Sequence, residues 1–201
     1  MKHLKIRFAG YGGYGVVTAS RILGLAFAQK GYHVLQTESH GAAARGGACT
    51  ADLTISSNPI YELTFEIPDV LIILSTPAFK KCCSISPDLS SKLLLIETDI
   101  LEEPPVKIGL SELSNRTGTA VYHISIRKIA EELGHVRYMG IASLGALAAV
   151  DTRIDMKLIE YTIKSDSKLR RFQKENLKAL LAGSNAVISL NPKLGNIHLK
   201  M

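Results

Sequence analysis

The sequence is poor in cysteine and contains no tryptophan. Its three cysteines are Cys49, Cys82 and Cys83, and no Cys-x-x-Cys pair occurs. An iron–sulfur cluster is usually held by four thiolates and a structural zinc ion by four ligands, which these residues do not supply by themselves. An odd number of thiols, two of them adjacent, is typical of free cysteines in a reducing compartment. We therefore predict a cytoplasmic chain with free thiols and no metal site of its own.

Long hydrophobic runs are also missing. The most apolar stretch, 139–150, is twelve residues long, whereas a membrane-spanning helix needs roughly 20. The charged start Met1–Arg7 leads directly into glycine-rich sequence, without the apolar segment of a signal peptide. The sequence therefore predicts no membrane span and no signal peptide, and 139–150 is predicted to be a buried helix.

A strong charge of one sign is lacking as well. Lys and Arg number 24 against 18 Asp and Glu, which gives a net charge of +6. This mild excess favours anions or acidic partners. The densest basic run, Lys168–Arg171 with Lys174 and Lys178, is interrupted by Glu175 and is predicted to be a solvated helix face. Because no nucleic-acid-binding motif accompanies it, we expect no nucleic-acid partner.

What is present is an alternation of strand-like and helix-like apolar patterns, followed by helices alone. This order predicts an α/β domain with a Rossmann-like, open, mostly parallel sheet flanked by helices, and a C-terminal helical run. We place the domain at 1–187 and a tail at 188–201. Strands are predicted at 5–9, 33–37, 51–56, 70–74, 93–96, 106–108 and 121–124, and helices at 16–30, 126–133, 138–150, after Asp155, and at 169–181.

Local signals refine these boundaries. Gly31 and Gly134 are expected to end helices, and Gly183 is expected to end the last one. Ser125 and Asp155 are expected to cap helix N-termini. The strand at 51–56 alternates between apolar and polar residues and is predicted to be half-exposed. The small residues of 140–149 permit close helix packing, either in the core or at a subunit interface.

A glycine turn, Gly10–Gly15, matches G-x-G-x-x-G between a strand and a helix. Glycine allows positive φ and close backbone approach, and a helix N-terminus favours an anion. Glu38 stands at the end of the second strand, where a ribose-binding carboxylate would be expected. Three interpretations stay open: an NAD-type dinucleotide site, a site for a phosphate or another anion, and a structural turn. Tyr11 and Tyr14 would crowd a pyrophosphate, which counts against the first.

A second glycine-rich loop, Gly41–Gly47, follows the second strand. Small residues surround Arg45, whose guanidinium suits a carboxylate or phosphate unless it pairs with Glu38. His40 is interpreted as an ordinary polar residue. Because no nucleophile–base pair stands out, we assign no catalytic residue. The candidate ligand-binding residues are Gly10, Gly12, Gly13, Tyr14, Gly15, Arg45, Gly46 and Gly47.

Taken together, several runs resemble the gamma subunit of 2-oxoacid:ferredoxin oxidoreductases, over about residues 5 to 185. Tyr14 departs from the family's pattern, which usually has glutamine there, and Arg45 is preceded by alanines where an acidic residue is common. The Arg-Gly-Gly sequence is more similar to the 2-oxoglutarate branch than to the pyruvate branch. The runs that carry the resemblance are Gly10–Ala19, Gly41–Gly47, Ala51–Ser56, Ile129–Gly134 and Leu144–Leu147.

The resemblance implies a multi-subunit enzyme that oxidatively decarboxylates a 2-oxoacid to an acyl-CoA and passes electrons to ferredoxin. It implies thiamine diphosphate, Mg²⁺ and iron–sulfur clusters on alpha, beta and delta chains, with coenzyme A as a further ligand. This chain would be an assembly subunit that contacts coenzyme A and lacks a complete active site. A homodimer is a further expected state of the isolated chain. The alternative is a free-standing NAD-binding oxidoreductase or nucleotide sensor, and a third option is a ligand-free dimeric scaffold.

Overall fold

The computed structural model describes residues 3–40, 47–85, 91–102 and 119–190. Within these ranges six strands form one sheet in the order β2-β3-β1-β4-β5-β6. The strands are β1 Leu4–Tyr11, β2 His33–His40, β3 Ala48–Ser56, β4 Val70–Ile73, β5 Leu93–Glu97 and β6 Ala120–Ile124. The helices are α1 Val16–Gln29, α2 Thr76–Ile85, α3 Ile126–Glu132, α4 Met139–Val150, α5 Met156–Ser165 and α6 Gln173–Leu190, with short 3₁₀ segments at Thr98–Glu102, Val136–Tyr138 and Ser167–Phe172.

The sheet is mostly parallel, as predicted. β1, β4, β5 and β6 are parallel to one another, and β2 runs in the same direction because both β1 and β2 pair antiparallel with β3. The predicted strand at 106–108 lies outside the described residues. No helix in the described ranges combines the length and apolar character needed to cross a lipid bilayer.

The predicted half-exposure of β3 is wrong. β3 lies between β1 and β2, and Leu53 and Ile55 are fully buried on one face of the sheet. The alternate residues point to the opposite face, which is also covered. There Asp52 accepts two hydrogen bonds from the buried Arg7, at 2.7 Å and 2.6 Å. The alternation of polar and apolar residues in β3 therefore reflects a largely buried ion pair between Asp52 and Arg7 rather than contact with solvent.

Two apolar layers cover the two faces of the sheet. The larger core combines one face of the sheet with α1, α4, α5 and α6, and the apolar stripe of α1 that faces it includes Ile22 and Leu23. The smaller core combines the other face with α2, through Ala78 and Cys82. The sequence analysis predicted no helix between the strands at 70–74 and 93–96, and it therefore missed α2. Pro77 is the second residue of the helix, where its missing N–H costs no intrahelical bond.

Helices α4 and α6 pack at very close range. A Cβ added to Gly145 would overlap the carbonyl of Leu180, and one added to Gly183 would overlap the carbonyl of Ala142. The small residues of 140–149 therefore serve core packing. The predicted helix end at Gly183 is wrong, because α6 continues to Leu190 and Gly183 provides the space that α4 needs.

Most predicted helix ends are confirmed. Gly31 and Gly134 follow α1 and α3 with φ of +82° and +90°. Asp155 accepts hydrogen bonds from the backbone N–H groups of Lys157 and Leu158, at 3.0 Å and 3.3 Å. Its cap on α5 is therefore as expected.

Candidate functional site at the carboxyl edge of the sheet

The two glycine-rich loops meet at the carboxyl edge of the sheet. β1 ends at Tyr11, and antiparallel β3 begins opposite it at Ala48. The backbone N–H of Gly12 donates a 3.2 Å hydrogen bond to the carbonyl of Gly47. This bond joins the glycine turn to the last residue of the second loop. Arg45 and Gly46 lie outside the described residues.

The glycines of the turn have different roles. A Cβ on Gly10 would come 2.7 Å from Cγ1 of Val16, and one on Gly15 would overlap the carbonyl of Arg137. These two glycines therefore allow close packing, which supports the structural interpretation for them. Gly13 differs, because its φ is +98° and a Cβ there would meet no atom within 4 Å. Gly12 and Gly13 are exposed, so the backbone is open to an outside group at these two positions.

The start of α4 holds the glycine turn through a backbone hydrogen bond. The backbone N–H of Gly140 donates a 2.8 Å hydrogen bond to the carbonyl of Tyr14. Gly140 must be a glycine at this contact, because a Cβ would overlap the carbonyl of Gly15. The α1 N-terminus, which begins after Gly15, has no side-chain cap. Its N–H groups therefore suit an anion, as the motif predicts.

A cationic side chain that the sequence analysis missed lies beside the turn. Arg127, near the start of α3, donates from Nη2 to the hydroxyl of Tyr14 at 2.7 Å. Its guanidinium lies 5.5 Å from the centre of the Tyr14 ring, and its Nε lies 3.1 Å from Oδ2 of Asp99. The Tyr11 and Tyr14 rings stand 5.8 Å apart. The position of Arg127 just after β6 is a usable signal, because carboxyl ends of parallel strands share one edge.

Glu97 is a buried carboxylate at the same edge. It closes β5, is 1% exposed, and accepts a 2.8 Å hydrogen bond from the backbone N–H of Arg127 through Oε2. Its Oε1 is buried without a hydrogen-bond partner among the described residues. Burial raises the pKa of Glu97 to about 7. Ser125, the predicted cap of α3, makes no capping bond with its side chain, and the Glu97 carboxylate takes that place.

The geometry disfavours an NAD-type site. Glu38 lies on β2, exposed, and accepts a 3.1 Å hydrogen bond from Gln36. β3 separates β2 from β1, so Glu38 lies two strand spacings, about 10 Å, from the strand that carries the turn. A dinucleotide site needs the carboxylate on the neighbouring strand. His40 closes β2, and its side chain is not among those described.

The thiols do not form a metal site in the described part of the chain, where no three His, Cys, Asp or Glu side chains are grouped as ligands. Cys49 and Cys82 are buried, and Cys83 is partly exposed. Burial raises the pKa of Cys82 to about 11. These thiols therefore do not fit an iron–sulfur cluster.

Comparison with known proteins agrees with this architecture. A family model described as "Pyruvate ferredoxin/flavodoxin oxidoreductase" matches residues 5–186. The 2-oxoglutarate synthase subunit KorC of Archaeoglobus fulgidus is 31% identical, over 90% of this chain and 87% of its own. The pyruvate/ketoisovalerate oxidoreductases common subunit gamma of Thermococcus kodakarensis is 29% identical, over 80% of this chain and 85% of its own.

Two solved structures share the fold. The gamma subunit of a keto/oxoacid ferredoxin oxidoreductase from Geobacter sulfurreducens aligns with a TM-score of 0.71 and 24% identity, over 92% of this chain and 99% of its own. The 2-oxoglutarate:ferredoxin oxidoreductase from Magnetococcus marinus, with 2-oxoglutarate, coenzyme A and succinyl-CoA bound, aligns with a TM-score of 0.74 and 22% identity, over 95% of this chain and 32% of its own. The chain therefore belongs to the pyruvate ferredoxin/flavodoxin oxidoreductase family, in which it is a gamma subunit of 2-oxoacid:ferredoxin oxidoreductase.

Proposed function

We propose that this gamma subunit contributes a phosphate-binding edge for coenzyme A to an enzyme that oxidatively decarboxylates 2-oxoglutarate. The similarity to subunits of 2-oxoglutarate synthase supports the choice of 2-oxoacid. About a third of the Magnetococcus marinus chain shares this fold, and the coenzyme A bound in that enzyme supports the choice of ligand. The product would be an acyl-CoA, with the electrons passed to ferredoxin.

The hydrogen bond between Gly12 and Gly47 carries this proposal. It holds the two glycine-rich loops together at the uncapped N-terminus of α1. Gly13 leaves the backbone open at this point, so a phosphate can approach the N–H groups closely. Arg45, two residues before Gly47, would supply the guanidinium that neutralises the phosphate charge. Gly46, the other candidate residue of this loop, would place no side chain in the way of such an approach.

Redox chemistry would then depend on partner chains in the cytoplasm. The described residues do not fit a metal centre. Thiamine diphosphate with Mg²⁺ and the iron–sulfur clusters would be held by alpha, beta and delta subunits, and ferredoxin would bind to the assembled complex. Thiamine diphosphate supplies the electron sink that decarboxylation needs. This chain binds and orients the thiol carrier, and a homodimer of the isolated chain would be a resting form.

Calorimetric titration of the assembled complex with coenzyme A tests the proposal. Arg45→Gln should weaken binding by about tenfold or more, because a hydrogen bond to a charged group contributes about 1.5–3 kcal/mol. Binding of pantetheine, which lacks the phosphates of the nucleotide half, should not change. Lys128→Gln, at an exposed position on α3, is the matched control and should bind both ligands normally. Unchanged coenzyme A affinity in Arg45→Gln would overturn the assignment.

A further inference from the structure

The outer surface of α5 and α6 contains an apolar groove that the coenzyme A site does not use. Its volume is about 380 Å³. Leu181 in its lining is 57% exposed, although it is a large aliphatic side chain. We call this surface the α5–α6 groove. It is lined by Met156, Glu160, Lys174, Leu177, Lys178, Leu180 and Leu181.

The apolar floor of the groove follows the helical repeat of α6. Leu177 and Leu181 are four residues apart and lie on one face of the helix. Met156 approaches the same groove from the first turn of α5. Two adjacent helices with such a floor can accept the side chains of a third helix.

The rim of the groove is positively charged. Lys174 and Lys178, one turn apart on α6, are exposed, and neither forms an ion pair with any described residue. The acidic side chain in the lining, Glu160, is neutralised by Lys164 at 2.6 Å. Three further cations are exposed on the 3₁₀ segment before α6, namely Lys168, Arg170 and Arg171.

We propose that the α5–α6 groove binds an amphipathic, acidic helix of another subunit of the oxidoreductase. The apolar face of that helix would cover Leu177 and Leu181, and its carboxylates would pair with Lys174 and Lys178. A second copy of this chain fits poorly, because a two-fold interface brings identical patches together and both patches are positively charged. A nucleic acid would match the lysines and leave the apolar floor uncovered.

The test uses the co-expressed complex, whose dissociation is followed by mass photometry on dilution. Leu181→Gln and the pair Lys174→Glu/Lys178→Glu should each raise the dissociation constant of this chain by about tenfold or more, because a central apolar anchor carries much of the binding energy and like charges facing each other across an interface are costly. In the wild type, affinity should fall as salt is added. The double charge reversal should invert this dependence, because salt then screens a repulsion between like charges.

Matched controls separate docking from general surface effects. Leu25→Gln on α1 replaces a leucine that is 40% exposed, and Lys128→Glu reverses an exposed charge on α3. Neither should change the dissociation constant. Leu63→Gln tests a rival apolar surface, since Leu63 is 67% exposed on the connection between β3 and β4. It too should leave the affinity unchanged.

Several results would overturn the proposal. One is an unchanged dissociation constant in both groove variants, and another is an effect no larger than that of the three controls. A third is a dimer of the isolated chain, seen by light scattering, that the groove variants break while the complex persists. Should the charge reversal lower the melting temperature, Lys174→Gln/Lys178→Gln replaces it, and the salt dependence of the affinity should then be lost rather than inverted.

Discussion

The hydroxyl of Tyr14 accepts a 2.7 Å hydrogen bond from Nη2 of Arg127, two residues that are 113 positions apart in the sequence. The bond ties the glycine turn between β1 and α1 to the start of α3. Because Asp99 also forms an ion pair with this guanidinium, the arginine is positioned by two elements at once. The shape of the turn therefore depends on residues far from it in the chain.

A double-mutant cycle should measure this link. We expect a coupling free energy of about 1 kcal/mol between Tyr14→Phe and Arg127→Gln in chemical unfolding. Phenylalanine keeps a ring beneath the guanidinium, so the Tyr14→Phe step removes mainly the hydroxyl bond. The pair Tyr161→Phe and Arg127→Gln is the control, since Tyr161 is exposed on α5, and its two effects should add. Additivity in the Tyr14 cycle would contradict the link.

Stability should depend on pH through Glu97. Its pKa in the folded chain is about 7, above the ordinary value of 4.5, because burial penalises the carboxylate. A group whose pKa is raised on folding contributes stability that is complete below the unfolded pKa and is lost as pH rises through the folded value. The free energy of unfolding of Glu97→Gln should therefore rise relative to that of the wild type between pH 4.5 and 7, by on the order of 3 kcal/mol.

Urea unfolding of both chains at a series of pH values measures this difference. Besides burial, the charge of Asp99 contributes to the raised pKa of Glu97. In an Asp99→Asn background, the stability gained by Glu97→Gln over this interval should therefore be smaller. A constant difference between Glu97→Gln and the wild type from pH 4.5 to 8 would show that Glu97 does not titrate as described.

Gly145→Ala should destabilise the chain, although alanine normally favours a helix over glycine by about 0.5–1 kcal/mol. The new methyl group would overlap the carbonyl of Leu180, and a backbone carbonyl cannot make room by changing rotamer as a side chain can. We expect a loss of about 1–3 kcal/mol in chemical denaturation. Asn185→Ala, an exposed change on α6, should stay within about 0.5 kcal/mol. A Gly145→Ala protein as stable as the wild type would rule out the close packing of α4 and α6.

Alkylation by iodoacetamide near pH 8 should modify Cys83 alone in the folded chain. Cys82 is 3% exposed with a pKa of about 11, and Cys49 is 5% exposed with a pKa raised mainly by burial. Both lack the access that the reaction needs, whereas Cys83 is partly exposed. Mass spectrometry of Cys83→Ser should then show no rapid label, whereas Cys82→Ser should label like the wild type. Rapid labelling of Cys82 would contradict its burial.

Patterns with a local cause could be predicted from the sequence. The apolar runs of β1, β4 and β5, the helical stripe of α1 and the cap at Asp155 each follow from neighbouring residues. The prediction failed where distant contacts decide. Gly183 signals a helix end, yet α6 continues because the contact with Ala142 requires a residue without a side chain. Likewise, the serine before α3 does not cap it because Glu97 already does.

The candidate site shows the same division. The glycine motif predicts the turn and its position at the end of a strand. It does not reveal that Gly10 and Gly15 are needed for packing, whereas Gly13 is open. Arg127 and Glu97 were missed because their relation to the turn arises only when β5 and β6 are placed beside β1 and β4. The assignment of Arg45 and Gly46 stays a prediction.

The position of β3 also affects how the protein can assemble during synthesis. β1 and β2 do not touch, since β3 lies between them with eight paired positions on each side. A nascent chain that ends before Ala48 lacks β3 and therefore has no strand to join its first two strands. Synthesis must proceed through the third strand before the first three strands can form one sheet.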